Sequence, residues 1–177
     1  MNEKDVSVIK ERFERVLWTY KTHEKAAERE NLINVCLRLG NIVLLGISCA
    51  FVVDNKTLAG SIFIFISFCL ALYNLGNNHS EKYHLHLESG KEFLAIKDAY
   101  ISFLSDMKNR RMDEKEFMRR RDDLEKQFVT QCKRSPQTYP CDYKKASWAL
   151  NNGKEGSSSE QEIDAFLPDA LRKNRKL

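Results

Sequence analysis

An all-α fold is predicted: a transmembrane helical hairpin that carries antiparallel cytosolic helices with coiled-coil-like packing. Three observations on the 177-residue chain point to it. Two apolar stretches, about Leu32–Val53 and Leu58–Leu75, are separated only by Asp54, Asn55, Lys56 and Thr57. Apolar residues outside them recur at steps of three and four, the period of a helix that buries one stripe. Seven Gly and three Pro leave little material for a turn-rich, many-stranded fold.

The first helix carries Val6, Ile9, Phe13, Val16 and Tyr20 on one stripe, continued by His23 and Ala27, with Glu, Lys and Arg at most other positions. That pattern calls for packing on another cytosolic helix or on the same helix of a neighbouring subunit, so these five residues are the candidate oligomer helix. An amphipathic anchor lying on the membrane would want more bases and fewer acids on its polar face. His23 lies on the packed stripe, where a hydrogen-bonded structural role fits better than metal ligation, because no Cys or carboxylate stands at ligand spacing with it.

The second apolar stretch, LAGSIFIFISFCLALYNL, has no Asp, Glu, Lys, Arg or His. At about 1.5 Å per residue it covers roughly 27 Å, close to the hydrocarbon thickness of a bilayer. The first is continuously apolar only from Leu39 to Val53 and reaches Leu32 if Arg38 snorkels to the interface. The alternative, two core helices of a soluble protein, agrees with the mean hydropathy of −0.50. However, core helices should show a polar stripe every three or four residues, and these runs do not. Lys21, Lys25, Arg29 and Arg38 precede the hairpin and Lys82, Lys91 and Lys97 follow it, whereas the turn holds only Lys56 beside Asp54. Both ends are therefore expected in the cytosol. The first apolar run begins some thirty residues in, after a charged helix, unlike a secretory signal peptide.

After the spans, Phe93, Ile96, Tyr100, Phe103 and Met107 form a further three-four series, and the second span is expected to run on into this helix until Arg110 and Arg111. Asp113 with Glu116 three positions later reads as a capping box, opening a helix with Phe117, Leu124, Phe128 and Cys132 inward. Pro136 and Pro140 interrupt the pattern, so a turn or extended piece is expected before a short helix resumes at Ser147–Leu150. Residues 151–160, NNGKEGSSSE, have linker composition, and 161–177 form a tail able to make a short amphipathic helix.

Chemistry-bearing motifs are scarce. There is no glycine-rich phosphate loop, nucleophile elbow or metal-spaced Cys/His set, so no enzymatic activity, metal or cofactor is expected. His79, His84 and His86 are spaced five and two apart, which does not gather three ligands on one helical face. Five scattered cysteines suit a reducing compartment. A net charge of +4 is too slight to imply nucleic-acid binding but suits an anionic membrane surface. Arg119, Arg120 and Arg121 are a candidate phosphate-binding cluster, although interleaved acids make a solvated charged face the simpler reading.

Within the spans, Asn34, Arg38, Asn41, Leu45 and Ser48 keep to one side of the first helix, and Gly60, Ser67, Ala71, Asn74 and Asn78 form a small or polar stripe on the second. Two helices cannot enclose an aqueous path, so a pore demands an oligomer. One reading lines that pore with the first stripe and packs the spans through the second. The other uses both for packing, with Arg38 at the interface.

The segment RVLWTYKTHEKAAE, the two spans with their minimal turn, the helical pair, and the closing pattern of Pro136, Tyr139, Pro140, Asp142, Tyr143 and Ala146 resemble SLATT domains. The similarity covers about Val6–Leu150, so residues 1–150 are taken as the domain. The resemblance implies a bacterial two-transmembrane effector of the inner membrane, multi-pass and self-associating. It would be encoded near a second-messenger nucleotide synthetase, a SLOG protein or a reverse transcriptase. On that basis the chain is expected to form a pore or depolarise the cell once a partner senses infection. A non-conducting anchor that recruits a defence enzyme through its cytosolic helices is the alternative.

Overall fold

The computed structural model describes residues 3–109 and 111–152, with side chains from residue 7 to 150. The side chain of Val6, Arg110, the 153–160 part of the expected linker and the 161–177 tail lie outside the described residues. Among the described residues five α-helices follow one another: α1 (Glu3–Val53), α2 (Thr57–Asn77), α3 (His79–Lys108), α4 (Glu114–Arg134) and α5 (Pro140–Asn152). No strand occurs among the described residues. The chain divides into two compact units, one made of residues up to Ala26 with those from Leu85 onward, the other of Ala27–His84.

The first unit is a helical bundle whose core is built from the expected stripes. Ile9, Phe13 and Val16 of α1, Phe93, Tyr100, Phe103 and Met107 of α3, Phe117, Leu124 and Phe128 of α4 and Leu150 of α5 are all buried in one cluster. The α1 stripe packs on the chain's own helices, with Ile9, Phe13 and Val16 at most 1% exposed. Tyr20, at the stripe's edge, is half-buried and lies 5.9 Å below Lys97 Nζ in a cation-π contact. His23 is buried as expected. Its Nδ1 lies 3.1 Å from Nδ1 of His86, and its ring stacks on Phe93 at 5.3 Å. Burial, then the neighbouring His86, outweighs the attraction of Asp142 and lowers the His23 pKa to about 4.

Three local features differ from expectation. The second span does not continue into α3, because Asn78 adopts a left-handed conformation (φ 45°) that ends α2 and lets α3 start at His79. Cys132 is exposed, not inward, and the α4 face is completed by Phe128. The last helix starts at Pro140, not Ser147, and includes Asn151 and Asn152 of the expected linker. A proline breaks a helix only in its interior. At the first helical position its missing N–H costs nothing, and here Asp142 Oδ2 accepts from the Tyr139 N–H at 2.9 Å to cap the turn. The expected cap of α4 is present, with Asp113 Oδ1 accepting the Glu116 N–H at 2.7 Å.

The second unit is an antiparallel helix pair joined by a minimal turn. Asn55 takes a left-handed conformation (φ 57°), while the Lys56 N–H reaches the Phe51 carbonyl and the Asn55 N–H that of Val52, a Schellman closure that satisfies the last carbonyls of α1. The apolar exterior of this pair is almost wholly unburied. In the most apolar 18-residue windows of the two spans only 6% and 11% is buried. A soluble core helix would be mostly buried, so a hydrocarbon environment accounts for these faces and a soluble core does not.

Candidate functional site: the polar seam and cleft of the hairpin

Near the turn, the two spans meet through the smallest residues available. Ser48 Oγ donates to the Gly60 carbonyl at 2.9 Å, and both residues are buried. A Cβ on Gly60 would stand 2.8 Å from Val52 Cγ2 and 3.2 Å from the Ser48 carbonyl, so glycine is what permits this approach. Phe51 and Phe63 stack beside it at 5.4 Å. Further from the turn, Ser67 Oγ donates to Asn41 Oδ1. In apolar surroundings such bonds keep each polar side chain from facing lipid unsatisfied.

Toward the open end the spans diverge around a cleft of about 560 Å³. Asn34, Arg38 and Asn41 line it from α1, and Ala71, Asn74 and Asn78 from the other side. The two stripes read from the sequence thus face each other across one hairpin. Asn41 and Ser48 of the first bond to Ser67 and Gly60 of the second, whereas Leu45 is about half exposed.

A feature that the sequence reading did not single out closes this end. Glu30 is buried one turn before Asn34, and its carboxylate accepts from His79 Nδ1 at 2.6 Å and from Arg29 Nη1 at 2.7 Å. Burial opposes ionisation of Glu30, yet the His79 hydrogen bond and the nearby Arg29 charge outweigh it and hold its pKa below the usual carboxylate value. His79 also lines the cleft, and its Nε2 is buried without a hydrogen-bond partner. The available signal was that Glu30, Asn34, Arg38 and Asn41 continue one helical stripe. The pairing with His79 has no local signature.

The remaining candidates do not join this site. His84 is exposed beside Tyr83 and His86 pairs with His23, so the three histidines have separate roles, and no metal-holding group of three His, Cys, Asp or Glu occurs among the described residues. In the arginine run, Arg120 pairs with Asp106 at 2.7 Å and Arg121 with Asp122 at 2.8 Å, while Arg119 is exposed. Two of the three charges are thereby met by neighbouring acids.

Residues 6–162 match the model of a protein family, SMODS and SLOG-associating 2TM effector domain family 4. No curated protein and no solved structure matches the chain.

Proposed function

The chain belongs to this family of membrane-associated defence effectors, and we propose that it acts without enzymatic chemistry, as a homo-oligomer in the bacterial inner membrane that forms a pore or depolarises the cell. The observation that carries the reading is the polar seam inside a hairpin whose outer faces are apolar. Asn41, Ser48 and Ser67 are costly in lipid unless they face protein or water, and packing alone would be served by small apolar residues. In the closed hairpin these groups satisfy each other. If the spans part within an assembly, the stripe of Asn34, Arg38, Asn41, Leu45 and Ser48 lines an aqueous path, and Gly60, Ser67, Ala71, Asn74 and Asn78 supply the packing that is exchanged. Both termini lie in the cytosol, within reach of a SMODS or SLOG protein that carries the signal.

The reading is tested by expressing the chain with its neighbouring genes and following membrane potential with a voltage-sensitive dye. Depolarisation before lysis on phage challenge supports it. Arrest with the potential intact would favour a non-conducting anchor that recruits a defence enzyme, a role to which the exposed Trp148 on α5 (66% exposed) lends a surface.

A further inference from the structure

The cleft at the open end of the hairpin is lined by both polar and apolar residues. Its lining contains one fixed cation, Arg38, and Asn34, Asn41, Asn74 and Asn78, the last of which donates its amide to Glu81, and no carboxylate residue is among the lining. Asn41 Oδ1 is taken by Ser67, which leaves its N–H groups as the available part. His79 also lines the cleft; the residue is 7% exposed, its Nδ1 is held by Glu30, and its Nε2 is buried without a hydrogen-bond partner. A buried nitrogen without a partner is costly, so a ligand atom that meets it is favoured. The apolar part of the lining comes from Leu37 and Ile42 on α1 and Leu70 and Leu75 on α2.

We propose that this cleft binds the phosphate of a membrane phospholipid, with Arg38, the asparagine amides and His79 around the headgroup and the acyl chain running along Ile42 and Leu70. A phosphate presents several acceptor oxygens on one centre, and a guanidinium with surrounding N–H donors is suited to it. Glu30 accepts from Nδ1 and so holds the imidazole at the cleft. A soluble phosphate shares this headgroup chemistry but has no use for the apolar side chains of the lining, which decides for the lipid. The assignment does not rest on conduction, since a non-conducting anchor would hold the same lipid in its closed hairpin.

The test uses the full chain in nanodiscs containing equal amounts of phosphatidylglycerol and a phosphate-free galactolipid. The protein is then released into mild detergent and its retained lipid read by native mass spectrometry. The expected result is one retained phosphatidylglycerol per chain, favoured over the galactolipid by about tenfold or more, the factor that corresponds to about 1.4 kcal/mol. Arg38→Gln and His79→Phe should each lower that retention about tenfold, and Arg38→Lys should recover part of it. Equal retention of the two lipids by the unaltered protein, a readout that needs no variant to fold, would overturn the proposal. So would unchanged retention in both variants. Binding of inorganic phosphate to delipidated protein, seen as ³¹P line broadening, without retained phosphatidylglycerol would overturn the lipid assignment in favour of a soluble phosphate.

Discussion

Glu30 and His79 stand 49 residues apart in sequence and 2.6 Å apart in space, a buried carboxylate–imidazole pair that ties α1 to the first turn of α3. The pair holds His79, which lines the cleft, against α1. It also makes Asn78 more than a helix end, since the left-handed residue directly before His79 sets where α3 begins.

Breaking this pair from one side leaves the other group buried and uncompensated, which typically costs about 3–5 kcal/mol. Glu30→Leu should therefore lower the unfolding midpoint of the detergent-solubilised protein more than Glu30→Leu adds to a His79→Leu background. A double-mutant cycle should return a coupling of roughly 1–3 kcal/mol. Additive losses in that cycle would mean that the contact contributes nothing specific.

The His23–His86 pair makes the bundle sensitive to acid. His23 titrates near 6.5 when unfolded and near 4 when folded, so between these values the unfolded chain binds a proton that the native chain does not. Stability is then full above the unfolded value and falls as pH drops through that window, by an amount on the order of 2 kcal/mol. Thermal unfolding at pH 7 and pH 5 should show the loss in the unaltered protein and a smaller one in His23→Phe, whose aromatic ring keeps the stack on Phe93.

The seam predicts a steric effect at Gly60. Gly60→Val places a branched side chain where even a Cβ stands 2.8 Å from Val52, so the spans must separate or the helix shift, at a cost of about 1–3 kcal/mol. Dye-loaded proteoliposomes carrying this variant should leak without any partner if parting the spans opens the path. Tight vesicles holding correctly inserted Gly60→Val would count against opening by separation.

Topology is checked at the turn. With Cys36, Cys49, Cys69, Cys132 and Cys141 replaced, all five being exposed, Asn55→Cys should react with an impermeant thiol reagent from the periplasmic side. Lys10→Cys should react only after permeabilisation. The reverse pattern would contradict cytosolic termini.

The elements that could be read in advance are those governed by local rules. The spans followed from their length and lack of charge, the bundle core from the Ile9–Phe13–Val16 and Phe93–Phe103 periodicities, and the α4 start from the Asp113 cap. The turn at Asn78 escaped because a single left-handed asparagine leaves the apolar pattern on either side continuous. The α5 start was misplaced because Pro140 is permitted at the one helical position where its N–H is not needed. The cleft was half legible. The stripe from Asn34 to Ser48 stood out, but not that it faces Gly60, Ser67 and Asn74, nor that Glu30 finds His79, since such pairings are tertiary and leave no trace at helical spacing.

The central claim, that the assembled chain conducts, is tested most directly by current recordings of the purified full-length protein in planar bilayers. The account predicts discrete conductance that rises steeply with protein density, with a reversal potential in a salt gradient that shows anion preference. Arg38→Glu should move that preference toward cations, because Arg38 would set the charge at the mouth of the proposed path. Correctly inserted protein that passes no current at any density, together with its SMODS or SLOG partner, would contradict the claim and leave the membrane anchor as the reading.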